Sequence, residues 1–116
     1  MHGNATIMVS DFDRALEFYT KVLSFKVMEK YGKEWASLKI PGLTIGLHPQ
    51  EKGMKLNREQ SPISIGLSVK NIEEEMTILK TKGISTFQLH DEGPVITAYF
   101  EDPDGNPLYL VQMKGR

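Results

Sequence analysis

The chain has 116 residues, 40% of them hydrophobic and 25% charged, with ten glycines and six prolines. That is one compact domain able to bury roughly two-thirds of its unfolded surface, and the composition excludes a disordered chain, a collagen-like repeat and a coiled coil. Fourteen basic against fifteen acidic residues give a formal net charge of −1, and there is no cysteine. No electrostatic footprint for nucleic acid is expected. Disulfides, thiolate metal sites and cysteine nucleophiles are excluded, and a cytoplasmic setting is expected. No apolar run reaches the ~18 residues of a membrane span, and Met1-His2-Gly3-Asn4 lacks the basic and apolar regions of a signal peptide, so a soluble chain is expected.

In chain order, residues 4–9 alternate as a half-buried strand. Asp11 is placed to cap a helix whose apolar stripe is Phe12, Ala15, Leu16, Tyr19, Val22 and Leu23. Strands are predicted at 25–31, 34–40 and 43–48, with Pro41-Gly42 as a turn. The polar, proline-bracketed stretch 49–62 reads as a linker. The order then restarts. A strand is predicted at 63–69, followed by a helix capped by Asn71, with Glu74 at the capping-box position and Gly83 as its stop. Strands follow at 84–90, 95–101 and 107–113, with Asp102-Pro103-Asp104-Gly105 as the last turn.

The two halves form a repeat. Val9-Ser10-Asp11-Phe12 lies 60 residues before Val69-Lys70-Asn71-Ile72, and Ala36, Leu38 and Gly42 have counterparts at Ala98, Phe100 and Gly105. The chain is therefore an α+β protein, strand–helix–strand–strand–strand written twice: module one 1–48, linker 49–62, module two 63–116. A helix beside a sheet covers one face only. Alternation assigns an apolar set, from Ala5, Ile7 and Val9 through Ile63 and Ile65 to Leu108 and Leu110, to the helix side. The other face receives small or hydrogen-bonding residues and the large rings of Trp35, Tyr99 and Tyr109. Such a surface suits a wall that holds a ligand.

The run from Val9 to Phe25 (VSDFDRALEFYTKVLSF) resembles the opening of the vicinal oxygen chelate superfamily, which includes glyoxalase I, bleomycin-resistance proteins and extradiol dioxygenases. The run from Phe100 to Val111 (FEDPDGNPLYLV) resembles its closing signature. Ser24 stands where the family often has glycine. The resemblance implies paired βαβββ modules forming a curled, cup-shaped mixed sheet with helices on the outer face, commonly in homodimers. It also implies a divalent metal held in enzymes of the group by up to four His, Glu or Gln residues. The matching positions here are Asn4, Gly46, Ser64 and Tyr109, which fall 60 and 63 residues apart in the repeat. None is a strong metal ligand, and catalytic zinc, nickel or iron sites usually need about three.

No metal or other cofactor is therefore expected, and no catalytic residue is assigned. The candidate cup-lining residues are Asn4, Trp35, Gly46, His48, Ser64, Tyr99, Glu101 and Tyr109. His48 is the best polar candidate, as a donor to a ligand or a general base. His90 reads as a rim residue; nothing in the spacing of His48, His90 and Glu101 requires a displaced metal triad. The expectation is a metal-free homodimer, similar to the bleomycin-resistance branch, that binds a small aromatic or amphipathic molecule and neither nucleic acid nor membrane. The alternative is a metal-dependent lyase or dioxygenase with non-standard ligands.

Overall fold

The computed structural model describes residues 3–53, 56 and 63–114. The chain divides into two compact units, Met1–Leu56 and Asn57–Arg116. The first unit contains β1 (Ala5–Val9), α1 (Phe12–Glu17), a wider helical turn at Phe18–Val22, β2 (Lys26–Tyr31), β3 (Trp35–Ile40) and β4 (Leu43–Pro49). The second contains β5 (Ile65–Ser68), α2 (Ile72–Thr81), β6 (Gln88–Asp91), β7 (Val95–Glu101) and β8 (Pro107–Met113). Each unit is a βαβββ module with one mixed four-stranded sheet, ordered β1-β4-β3-β2 and β5-β8-β7-β6. The β1–β4 and β5–β8 pairs are parallel; the others are antiparallel. The α+β class and the duplicated order agree with the sequence reading.

Both helices start as their caps dictate. Asp11 accepts a hydrogen bond from the Arg14 N–H at 3.1 Å, and Asn71 accepts one from the Glu74 N–H at 3.0 Å. At the start of α2, the Ile72 N–H also donates to Gln112 Oε1 at 2.8 Å, which fastens the helix to β8. In the first unit, α1 lies against β4, and Val9, Phe12, Ala15, Ala36, Leu38, Ile45 and Leu47 are buried. In the second, α2 lies against β7 and β8, burying Ile72, Leu79, Ala98, Phe100, Leu108 and Leu110. Burying a Leu or Ile side chain fully contributes ~1.5–3 kcal/mol, so these two apolar layers hold the modules together.

The structure departs locally from expectation at four places. The apolar stripe expected as one helix through Leu23 divides after Glu17. From there the Leu23 N–H reaches the Phe18 carbonyl at 3.1 Å, five residues back, which is π-type geometry. The widened turn accompanies an aromatic cluster in which the buried Tyr19 ring lies edge-on to Phe18 (5.3 Å) and Phe25 (5.8 Å). The strand expected at 84–90 begins only at Gln88, because the Ile84 N–H turns back to the Leu79 carbonyl at 3.1 Å and closes α2. Ile63, expected in the core, lies before β5 and is 69% exposed. Of the expected linker, Pro49 ends β4, and the Gln50 N–H donates to the Val9 carbonyl at 2.8 Å. Residues 54, 55 and 57–62 lie outside those described.

Candidate functional site

Strand register decides which side chains share the sheet face away from the helix, because paired residues project to the same side. In the first unit one such row runs Thr6, Gly46, Ser37, Glu29 across β1, β4, β3 and β2. Beside it, Met8 pairs with His48 and Trp35 with Tyr31. A bulge between Val27 and Glu29 leaves Met28 as the extra residue of β2. The Trp35 indole lies directly over Gly46. A side-chain carbon built at Gly46 would meet three of its ring atoms, Cζ3 at 2.7 Å and Cζ2 at 2.9 Å among them. Contacts that close do not occur between real side chains, so only glycine is compatible with this position of the ring.

The second unit repeats the device on the opposite strand of its parallel pair. Gly66 of β5 faces Tyr109 of β8, and the phenol ring of Tyr109 fills the space above the glycine, its Cε2 2.7 Å from where a side-chain carbon would stand. The row continues from Tyr109 to Tyr99 and on to Gln88. The Tyr99 and Tyr109 rings are 5.4 Å apart and inclined by 34°. His90, in the neighbouring row Ser68, Val111, Thr97, His90, presents its ring edge-on to Tyr99 at 5.6 Å. His90, Tyr99 and Tyr109 thus form a continuous ring series ending over Gly66. Tyr99 is 41% exposed.

The eight candidate residues fall evenly on the two units. Asn4, just before β1, is exposed; Trp35 is half-buried, Gly46 buried, and His48 exposed near the end of β4. His48 Nδ1 lies 2.7 Å from the Pro49 carbonyl oxygen. A carbonyl only accepts, so Nδ1 is the donor in this contact. In the second unit, Ser64 is exposed just before β5, Tyr99 and Glu101 are exposed on β7, and Tyr109 is half-buried on β8. Tyr99 and Glu101, two residues apart on one strand, share the helix-free face. The register therefore joins Tyr99 and Tyr109 in one row and sets Trp35 on Gly46.

Sequence reasoning missed the two glycine–ring pairs, His90 as part of the ring series, and the role of Asp102. The Asp102 carboxylate is 5% exposed and accepts from the Asp104 N–H (2.9 Å), the Asn106 N–H (2.9 Å) and the Asn106 side-chain amide (2.8 Å). It locks the turn that ends β7 and starts β8. The Asp-x-Asp-Gly-Asn pattern was the available signal, since Asp side chains commonly bond backbone two residues on.

Two mixed sheets, each with one helix on one face and a helix-free face that carries a ring over a glycine, define a duplicated βαβββ class of α+β proteins. Residues 3–110 match the model of the Glyoxalase/Bleomycin resistance protein/Dioxygenase superfamily, and the chain belongs to this superfamily. It is 35% identical to the uncharacterized protein YurT of Bacillus subtilis (strain 168) over 120 residues, covering 92% of this chain and 94% of that protein. Its fold is similar to that of lactoylglutathione lyase from Agrobacterium tumefaciens, with a TM-score of 0.77 at 14% identity over 97% of this chain and 92% of that one. A glyoxalase family protein from Enterococcus faecalis gives a TM-score of 0.76 at 22% identity over 96% of each chain.

The residues at the four positions that the resemblance assigns to a metal, Asn4, Gly46, Ser64 and Tyr109, are not a donor set that fits a divalent cation. Position 46 has no side chain, and its side-chain space holds the Trp35 ring. Position 109 carries a phenol laid against Gly66, while Asn4 and Ser64 offer neutral oxygens. Among the described residues no group of three or more His, Asp or Glu side chains is placed to hold a metal ion. Among them, too, no helix is long and apolar enough to cross a membrane.

Proposed function

We propose that this protein is a binding member of the superfamily, similar to its bleomycin-resistance branch: a cytoplasmic homodimer that sequesters a small aromatic or amphipathic molecule without a resident metal. The observation that carries the reading is the Trp35 ring seated in the side-chain space of position 46, where the superfamily's enzymes place a metal ligand. Sequestration requires apolar walls and a few hydrogen-bonding groups and no reacting group. On the first unit Trp35 supplies an apolar wall and His48 and Asn4 supply polar groups; on the second Tyr99 and Tyr109 supply the wall and Ser64 a polar group. The absence of cysteine fits a reducing compartment, and the near-neutral net charge of −1 favours a small ligand over nucleic acid.

Trp35 is the only tryptophan in the chain, so its fluorescence reports on the first sheet, while the fluorescence of a bound probe reports on either sheet. Chelator-treated protein titrated with uncharged 2-naphthol and with cationic proflavine is expected to give a saturable change in probe fluorescence with at least one of them. Its dissociation constant is expected not to change when zinc, nickel or manganese is added. Failure of both compounds to bind, or binding that appears only with metal, contradicts the reading and favours a metal-dependent lyase or dioxygenase. Sedimentation equilibrium tests the dimer.

A further inference from the structure

We propose that the helix-free face of the second sheet selects a planar organic cation, with Tyr99 and Tyr109 as its stacking surface and Glu101 as its counter-charge. This deepens the small-molecule reading above and rests on it. Three observations carry it. First, Tyr99 and Tyr109 are cross-strand partners with rings 5.4 Å apart and only 34° from parallel, and Tyr99 is 41% exposed. The pair offers two electron-rich ring surfaces side by side, and such faces attract cations. Second, Glu101 lies two residues beyond Tyr99 on the same face of β7 and is exposed, and among the described residues it takes part in no ion pair. Third, neither of the two rows across this face, Gly66–Tyr109–Tyr99–Gln88 and Ser68–Val111–Thr97–His90, contains a lysine or arginine. Neither row thus carries a formal charge when His90 is neutral, and the carboxylate of Glu101 supplies one beside the Tyr99 ring.

Ser68 keeps the β5 end of its row low, and over Gly66 lies the Tyr109 ring, itself part of the stacking surface. A flat molecule lying along the ring series therefore meets little side-chain bulk there. The corresponding face of the first sheet differs in charge: Lys39 pairs with Lys26 at one end and Glu29 lies on a separate row. A cation is favoured on the second sheet and not on the first.

The test uses two flat probes of similar size, proflavine, which is cationic, and acridone, which is uncharged, with binding read by the fluorescence of the probe. Proflavine is expected to bind about tenfold more tightly than acridone at low salt and to lose part of that advantage as salt is raised. Glu101→Gln is expected to bring the two affinities within about twofold of one another, by weakening proflavine alone. Tyr99→Leu is expected to weaken proflavine by about fivefold with an unchanged circular dichroism spectrum. Glu34→Gln, in the β2–β3 turn, is expected to change neither affinity. Equal binding of both probes that is still weakened by Tyr99→Leu overturns the cation preference and leaves aromatic binding standing. Insensitivity of proflavine to both Tyr99→Leu and Glu101→Gln overturns the placement on the second sheet. Binding of neither probe overturns this inference and the small-molecule reading together.

Discussion

The indole of Trp35 occupies the space that a side chain at position 46 would need, with ring carbon Cζ3 2.7 Å from the nearest possible side-chain carbon of Gly46. Glycine and ring are thus mutually dependent. The backbone at Gly46 lies outside the left-handed region, so the only obstacle to a larger residue there is the indole. Gly46→Ala is expected to cost about 1–3 kcal/mol in urea denaturation, the usual range for an overpacked site. In a Trp35→Ala background the same change is expected to cost under about 0.5 kcal/mol, a coupling that a double-mutant cycle reads directly. Equal costs in both backgrounds would show that the ring does not fill this space.

Ser24 ends the first helical segment with φ 64°, the only non-glycine residue at positive φ among those described. The equivalent exit from α2 uses Gly83 at φ 107°. A side chain in this region is disfavoured by roughly 1–2 kcal/mol, and glycine removes that penalty. The Phe25 N–H reaches back to the Tyr19 carbonyl at 2.9 Å, so the turn is fixed and cannot relax to another conformation cheaply. Ser24→Gly is therefore expected to stabilise the protein by about 1 kcal/mol and to raise its thermal midpoint. A lower midpoint in differential scanning calorimetry contradicts this.

Asp102 is the buried carboxylate of the β7–β8 turn, with donors from Asp104 and Asn106 converging on it. Removing it strands two backbone N–H groups. Hydrogen bonds to charged groups contribute about 1.5–3 kcal/mol and unsatisfied buried donors cost a similar amount. Asp102→Ala is expected to lose about 2–4 kcal/mol, whereas Asp102→Asn, which keeps one acceptor oxygen, is expected to lose clearly less. Equal losses in chemical denaturation would mean that the retained shape and acceptor oxygen contribute nothing and that the charge carries the whole effect.

The β6–β7 hairpin carries a pH-sensitive strap. Lys114 donates to both carboxylate oxygens of Asp91, at 2.8 and 2.9 Å, and the Gly93 N–H donates to one of them at 3.1 Å. The Lys114 hydrogen bond, then that of Gly93, holds the Asp91 carboxyl below its ordinary value. A lowered folded value means that the strap contributes above the unfolded aspartate value, near pH 3.9, and is lost as pH falls through the folded one. On the first unit the opposite sign applies. Hydrogen bonding to Asp13 raises Lys33, so that contact persists below the unfolded lysine value and is lost at higher, strongly alkaline pH. Carbon-detected NMR titration of Lys114→Met is expected to move Asp91 up toward the ordinary carboxylate range, with the Gly93 contact still holding it below. An unchanged titration would assign the shift to Gly93 alone.

Much of this molecule is legible in its sequence because it is written twice. The 60-residue offset between Val9-Ser10-Asp11-Phe12 and Val69-Lys70-Asn71-Ile72 marks equivalent strand ends and caps, and both caps form. Alternation over β3, β4 and β7 placed Ala36, Leu38, Ile45, Leu47, Ala98 and Phe100 correctly in the core. The sequence did not disclose features that depend on contacts through space. Nothing local says that Trp35 lies over Gly46 or that Tyr109 lies over Gly66, because each pair meets only through strand register. The π-type turn at Phe18–Val22 has the same apolar spacing as an ordinary helix, and its geometry accompanies the packing of Tyr19 between Phe18 and Phe25. Gln112 looks like a polar surface residue until α2 is seen to start on it.

The reading without a resident metal rests on Asn4, Gly46, Ser64 and Tyr109 at the positions that the resemblance assigns to metal ligands, with the Trp35 ring in the side-chain space of Gly46. Equilibrium dialysis of chelator-treated protein against zinc, nickel, manganese and ferrous iron, followed by elemental analysis of the protein compartment, tests it most directly. No stoichiometric uptake of any of the four is expected. One equivalent of metal per chain, abolished by Tyr109→Phe or by Asn4→Ala, would contradict it.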